Sequence, residues 1–169
     1  ELQALDVGFH ETDYPGKASA AGIRIPTLES LFLALPDERF LIELKPDDVE
    51  TGIQLCQLIL AHGLGDQVLV GSFYSRVLED FRQGCPKVPT SLGEEEALVF
   101  VLLSWIGLGH LYNSPGYSVQ LPFEYYGIKL VSGPLIKAAD ELNLMVDVWT
   151  INDSQEMVKL INLGVSGII

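Results

Sequence analysis

Leu41-Ile42-Glu43-Leu44-Lys45 reads as a buried strand that carries an acid and a base two positions apart. Side chains along a strand alternate faces with a period of two, so Glu43 and Lys45 share one face and Ile42 and Leu44 the other. Burying a charge is costly unless it is paired or bound to a metal. A strand that ends by aiming a carboxylate and an ammonium the same way points to a site that handles anions. The plainer alternative is an edge strand whose two charges are solvated.

From residue 40 onward one rhythm repeats: a short β-rich run, a turn, a helix start signal, an amphipathic stretch and a glycine. Strands are predicted at 40–45, 67–72, 87–90, 118–121, 144–150 and 165–169. Helices are predicted at 48–62, 75–84, 94–107, 134–143 and 153–162. In the first of these helices Val49, Ile53, Cys56 and Leu60 form the expected inner stripe. Ser75 is the expected cap of the next, with Leu78 and Phe81 inside. Glu94-Glu95-Glu96 suits a helix N-terminus, and Asp153-Ser154-Gln155-Glu156 is a capping-box pattern. The fourth strand is either 118–121 or 128–131, with Pro122 separating the two; the first is preferred, and 128–131 then reads as a lead into the helix at 134. Before residue 40 the texture differs: Asp13-Tyr14-Pro15-Gly16-Lys17 is loop chemistry, and Thr27 is a candidate cap for a helix ending near Leu35-Pro36.

Strands alternating with helices of this length indicate a parallel sheet built from βα units, either open and doubly wound or closed into a barrel. No Gly-x-Gly-x-x-Gly follows a strand, so a dinucleotide site has no support. Polar residues gather instead where strands end: Glu43, Lys45, Ser72, Thr90, Gln120, Thr150 and Asn152. A (β/α)₈ barrel places its active site at that face. The predicted fold is therefore α/β, a (β/α)₈ TIM barrel that is incomplete here, because six strands cannot close it and a full barrel takes about 250 residues. The expected organisation is a single domain over 1–169 lacking two N-terminal βα units.

The 169 residues are 48% hydrophobic and 20% charged, as in a globular chain. A net charge of -13 argues against a nucleic-acid partner and against binding to anionic lipid. An anionic substrate would need local positive charge or a metal ion. The longest apolar run, 97–108, is interrupted by Ser104 and is shorter than the about 20 residues of a membrane span. It reads as a helix buried on most sides or one that meets a partner. Cys56 and Cys85 lie 29 residues apart, neither a disulfide framework nor a zinc spacing, and both are expected as free thiols, Cys56 in the core. No leader pattern is read at the start, and the expected location leans toward the cytoplasm.

Six pieces in order resemble the glycerophosphodiester phosphodiesterase family across essentially the whole chain. They are Leu5-Asp6-Val7-Gly8, Gly22-Ile23-Arg24-Ile25-Pro26-Thr27-Leu28-Glu29, Leu41-Ile42-Glu43-Leu44-Lys45, Val70-Gly71-Ser72-Phe73, Val148-Trp149-Thr150-Ile151-Asn152-Asp153 and Gly164-Val165-Ser166-Gly167-Ile168-Ile169. The resemblance implies a TIM barrel whose small insertion after the second strand corresponds to residues 1–27, with 28–169 forming the third to eighth βα units. It implies hydrolysis of glycerophosphodiesters to glycerol 3-phosphate and an alcohol, assisted by a divalent cation, Mg²⁺ or Ca²⁺. Residue by residue it implies Glu43 as a metal ligand, Lys45 as the phosphate-binding cation, and Phe73 and Trp149 as an apolar wall beside the glycerol.

The departures are as specific. The family's catalytic histidines lie in a His-Arg and a His-Asp motif, accompanied by two further acidic ligands, and none of these is present. His10, His62 and His110 sit in neither motif, and His10 reads as a solvated loop histidine. Ser166 stands where the family usually has an acid. Ser72 and Gln120 read as structural hydrogen-bonders, and Asn152 and Asp153 as helix-cap residues. The chain thus resembles the C-terminal two-thirds of a phosphodiesterase, with a glycerophosphodiester as the small-molecule partner. The alternative is a truncated, non-catalytic barrel that self-associates through open sheet edges or through helix 97–108.

Overall fold

The computed structural model describes residues 2–5 and 22–169. The loop expected at 13–17, His10 and most of Leu5-Asp6-Val7-Gly8 lie outside them. The chain divides into two compact units, Glu1–Glu38 and Arg39–Ile169. The first holds a 3-10 turn, Leu2–Ala4, and helix α1, Leu28–Ala34. Thr27 caps α1 as expected, its Oγ1 accepting from the Ser30 amide at 3.1 Å. The helix stops at Leu35, because Pro36 disfavours helical backbone in the residue before it.

The second unit alternates as β1 (Phe40–Glu43), α2 (Val49–Ala61), β2 (Val68–Gly71), α3 (Ser75–Gly84), α4 (Glu94–Trp105), β3 (Ser118–Pro122), β4 (Glu124–Tyr125), β5 (Ile128–Lys129), α5 (Gly133–Glu141), β6 (Met145–Trp149), α6 (Ser154–Leu163) and β7 (Gly167–Ile168). β1 lies parallel to β2, from Phe40 opposite Val68 to Glu43 opposite Gly71. β3 lies parallel to β6, and β6 to β7. The third strand, expected at 87–90, is reduced to two parallel bridges, Val70 with Thr90 and Ser91 with Ser118. Pro86 and Pro89 have no amide to donate, so a ladder cannot form before Thr90. These bridges still join the two sheets into one succession of six parallel positions, consistent with part of a TIM barrel. Among the described residues β1 pairs only with β2, and β7 only with β6.

Alternation along the strands sorts two faces. Val68, Val70, Val119, Leu121, Val146 and Val148 are buried toward the helices. Phe100, Val101, Leu135, Ala139 and Leu160 meet the β3–β6 part of that face in one apolar cluster. The other face carries Glu43, Gly71, Ser118, Gln120, Asp147, Trp149 and Gly167. There the Ser118 hydroxyl donates to Asp147 Oδ2 at 2.5 Å.

Several local expectations change. The buried stripe of α2 is Gly52, Leu55, Cys56 and Ile59, whereas Ile53 and Leu60 are 46% and 48% exposed. That helix is apolar around most of its circumference, so periodicity did not single out one face. Tyr74, not Ser75, occupies the N-cap of α3. The Ser75 hydroxyl instead donates to the Glu95 carboxylate. Residues 128–131 open as the second arm of a β4–β5 hairpin, turned by Tyr126 and Gly127 at φ 49° and 79°. Positive φ at both central residues is the two-residue turn that matches strand twist.

The cysteines are not free: Cys56 and Cys85 form a disulfide, Cα–Cα 5.9 Å. The register explains it. Phe40 faces Val68, 28 residues on (68 − 40), so one βα unit spans about the 29 residues that separate the cysteines. Consecutive crossovers of one hand set α2 and α3 side by side on the same face of the sheet. Cys56 in α2 therefore meets Cys85 at the C-cap of α3.

Candidate functional site

The candidate site lies at the C-terminal ends of the strands. Glu43 is the last residue of β1, and Lys45 follows two residues later on the same side. Leu44 points the other way and is buried, within reach of the space above Gly52. The Lys45 ammonium stands 2.8 Å from Glu43 Oε2, with the side chains 74% and 35% exposed. An exposed pair of this kind contributes about 0–1 kcal/mol, so either partner can be traded for a ligand at small cost.

Ser72 holds the next loop against this end. Its hydroxyl donates to the Leu44 carbonyl at 2.9 Å and accepts from the Tyr74 amide at 3.2 Å. Phe73, between them, is thereby presented beside Lys45, whose ammonium lies 5.9 Å from the ring centroid. Phe73 in turn meets Trp149 edge to face, centroids 5.9 Å apart at 81°. Phe73 follows β2 and Trp149 ends β6, three strand positions away. On a flat sheet three steps of about 4.8 Å would separate them by roughly 14 Å. The inner face is therefore concave, and its rim draws Glu43, Lys45, Phe73 and Trp149 into one chain of contacts.

Other residues singled out by the sequence fall into supporting roles. Asp153 caps α6, accepting from the Gln155 and Glu156 amides at 2.9 Å each. Ser166 accepts from the Val146 amide at 3.0 Å, a sheet-edge bond. His62 is the C-cap of α2, and His110 lies in a 3-10 turn, Gly109–Leu111, after α4. Each follows the C-terminal end of its helix, and the crossovers carry those ends away from the strand ends that hold Glu43 and Trp149.

One network escaped the sequence reading. Arg82 of α3 grips Glu96 of α4 at 2.7 and 3.0 Å, donates to Thr90 Oγ1 at 2.7 Å and to the Ser91 carbonyl at 2.8 Å. Glu96 also accepts from the Gly93 amide at 2.8 Å, so five bonds fasten the abbreviated third strand between two helices. The capping residue Glu96 was visible in the acidic run 94–96, but its partner lies 14 residues back with no periodic relation to it. Nearby Tyr112 has its phenol pushed up to about 12, first by desolvation and then by the Glu96 charge, with Arg82 opposing.

A hard divalent cation takes six or more oxygen ligands. Among the described residues no group of three or more His, Cys, Asp or Glu side chains assembles, and Glu43 supplies a single carboxylate already facing an ammonium. The described residues therefore do not by themselves make a metal site. No described helix is long and apolar enough to cross a membrane.

No protein-family model matches the chain. It is 30% identical over 159 residues to the "Probable glycerophosphodiester phosphodiesterase 2" of Mycobacterium tuberculosis, covering 88% of this chain and 57% of that one. Its fold matches a crystal structure described as a putative glycerophosphodiester phosphodiesterase from Galdieria sulphuraria, TM-score 0.70 at 24% identity, over 99% of this chain and 63% of that one. The glycerophosphoryl diester phosphodiesterase domain of another M. tuberculosis protein gives TM-score 0.78 at 12% identity, over 99% and 69%. The chain spans 57–65% of the length of the curated relatives it matches.

Proposed function

We propose that this chain, a relative of the glycerophosphodiester phosphodiesterases over nearly its whole length, supplies the phosphate- and glycerol-binding part of a phosphodiester hydrolase. The substrate is a glycerophosphodiester, and the products are glycerol 3-phosphate and an alcohol. The observation that supports this reading is the contact chain at the mouth: carboxylate to ammonium at 2.8 Å, ammonium to the Phe73 ring at 5.9 Å, and that ring to Trp149 at 5.9 Å.

Lys45 binds a non-bridging phosphoryl oxygen, exchanging part of its pairing with Glu43 for the substrate's charge. Phe73 and Trp149 cover the carbon face of the glycerol and exclude water from one side of it. Glu43 is the carboxylate this chain offers a divalent cation, Mg²⁺ or Ca²⁺. Hydrolysis also requires a proton for the leaving alkoxide, and none of the mouth residues is placed to give one.

The test is hydrolysis of glycerophosphodiesters by the full-length protein, followed as release of glycerol 3-phosphate. Chelation is expected to stop it, and Glu43→Gln to lower kcat/KM by about 100-fold, or about 2.7 kcal/mol. Full activity in Glu43→Gln would remove the metal-ligand role while leaving the hydrolase reading intact.

Self-association is a second role, favoured by α4. Leu98, Val99, Leu102 and Trp105 on that helix and Ile106 at its C-cap are 44–68% exposed. Contiguous apolar patches of this kind mark interaction surfaces. Leu102→Lys is expected to convert an associating species to monomer in light scattering; a wild-type monomer at high concentration would exclude this role.

A further inference from the structure

We propose that Gln120 is a substrate-binding residue whose amide donates a hydrogen bond to a hydroxyl of the glycerol moiety, an inference that rests on the glycerophosphodiester reading. Its Nε2 is buried and has no hydrogen-bond partner. Nearly all buried donors in folded proteins are paired, so an idle one inside a concave face is a donor awaiting an acceptor. The hydroxyls around it are not idle. Ser72 donates to the Leu44 carbonyl, Ser91 to the Leu92 carbonyl and Ser118 to Asp147. The other buried side-chain atom without a partner among the described residues, Ser132 Oγ, belongs to the N-cap of α5.

The register places the amide. A Cβ on Gly71 would stand 3.2 Å from Ser91 Oγ and 3.3 Å from Gln120 Oε1. The Gln120 side chain therefore reaches across the third strand to the space that Gly71 leaves open. Gly71 is the parallel partner of Glu43, and such partners project to one face. Glu43, the gap at Gly71 and the Gln120 amide thus follow one another across the inner face. Two residues along β3, Pro122 lies opposite Trp149, so Gln120 sits one pleat below the aromatic wall. A ligand whose charged end meets Lys45 and whose carbon face lies on Trp149 would lower its free end toward Gln120. A neutral amide, donor and acceptor together, suits a neutral hydroxyl, whereas the ammonium suits the phosphoryl oxygen.

The experiment is calorimetric titration of the full-length protein with sn-glycerol 3-phosphate and, separately, methyl phosphate, which lacks the hydroxyls. Gln120→Leu is expected to weaken glycerol 3-phosphate about tenfold and to leave methyl phosphate unchanged. Its unfolding midpoint is expected to hold or rise, because an unpaired donor is removed. Gln120→Asn, one methylene too short to reach, carries the same comparison should the leucine variant not fold. Equal affinities in wild type and variants, or an equal loss for both ligands, would overturn the role of Gln120 alone. A wild-type protein that binds neither ligand would overturn the glycerophosphodiester reading and this inference with it.

Discussion

The Glu43–Lys45 pair at the mouth and the Arg82–Glu96 pair between α3 and α4 are almost equally short, 2.8 and 2.7 Å. Their surroundings differ. The mouth pair is 35% and 74% exposed and has an aromatic ring as its neighbour. The inner pair is 18% and 19% exposed, and every arm of its guanidinium is engaged. Distance alone therefore does not say what an ion pair is for. A pair left half in water can change partners, while one with all its hydrogen bonds met is a fastening.

The largest stability effect is expected next to the fastening. Opening the Cys56–Cys85 crosslink frees a 29-residue loop that ends three residues beyond Arg82, and should lower stability by about 3.5 kcal/mol. Urea unfolding with and without reductant measures it, and a loss below about 1 kcal/mol would mean that the Arg82 network alone keeps α3 in place. Arg82→Met should follow at about 3 kcal/mol, because it strands the Glu96 carboxylate. In the same assay Lys45→Met should change stability by less than about 1 kcal/mol. Its hydrolysis of glycerophosphodiesters should nonetheless fall about 100-fold. Were the two variants to show the reverse pattern, the contrast between the pairs would be wrong.

The smallest effect concerns acid. Hydrogen bonds from the Thr51 hydroxyl and amide hold the Asp48 carboxyl below its ordinary value, and the Ser75 hydroxyl does the same for Glu95. A depressed carboxylate contributes stability that is complete above its unfolded pKa and is lost as pH falls through the folded one. Amide protection in the first turns of α2 and α4 should therefore hold down to about pH 4 and drop below it. Loss beginning near pH 6 would point to another group.

Much of this was readable beforehand because it follows from chemistry local in the chain. Alternation put Glu43 and Lys45 on one side, and Thr27 and Asp153 announced their helices through their own side-chain oxygens. What escaped depends on juxtaposition. Arg82 and Glu96 belong to different βα units, and Cys56 and Cys85 meet because a whole unit intervenes. Two prolines shortened the third strand, a signal present at 86 and 89 but outweighed by the repeating strand–helix rhythm, which called for a strand there. The α2 stripe was read correctly at Cys56 but not at Ile53 and Leu60, because a helix apolar on most sides has no single period to read. The meeting of Phe73 with Trp149 was expected from the family resemblance alone, because it depends on curvature across the strands from β2 to β6, which no single segment encodes.

The bond between Cys56 and Cys85 also makes the protein sensitive to where it is made. Thiol pools rich in glutathione keep such pairs open, and secretory or periplasmic surroundings keep them closed. The same sequence is thus a looser molecule in a reducing cell interior and a tighter one outside it, so an exporting host is the better choice for producing the crosslinked form.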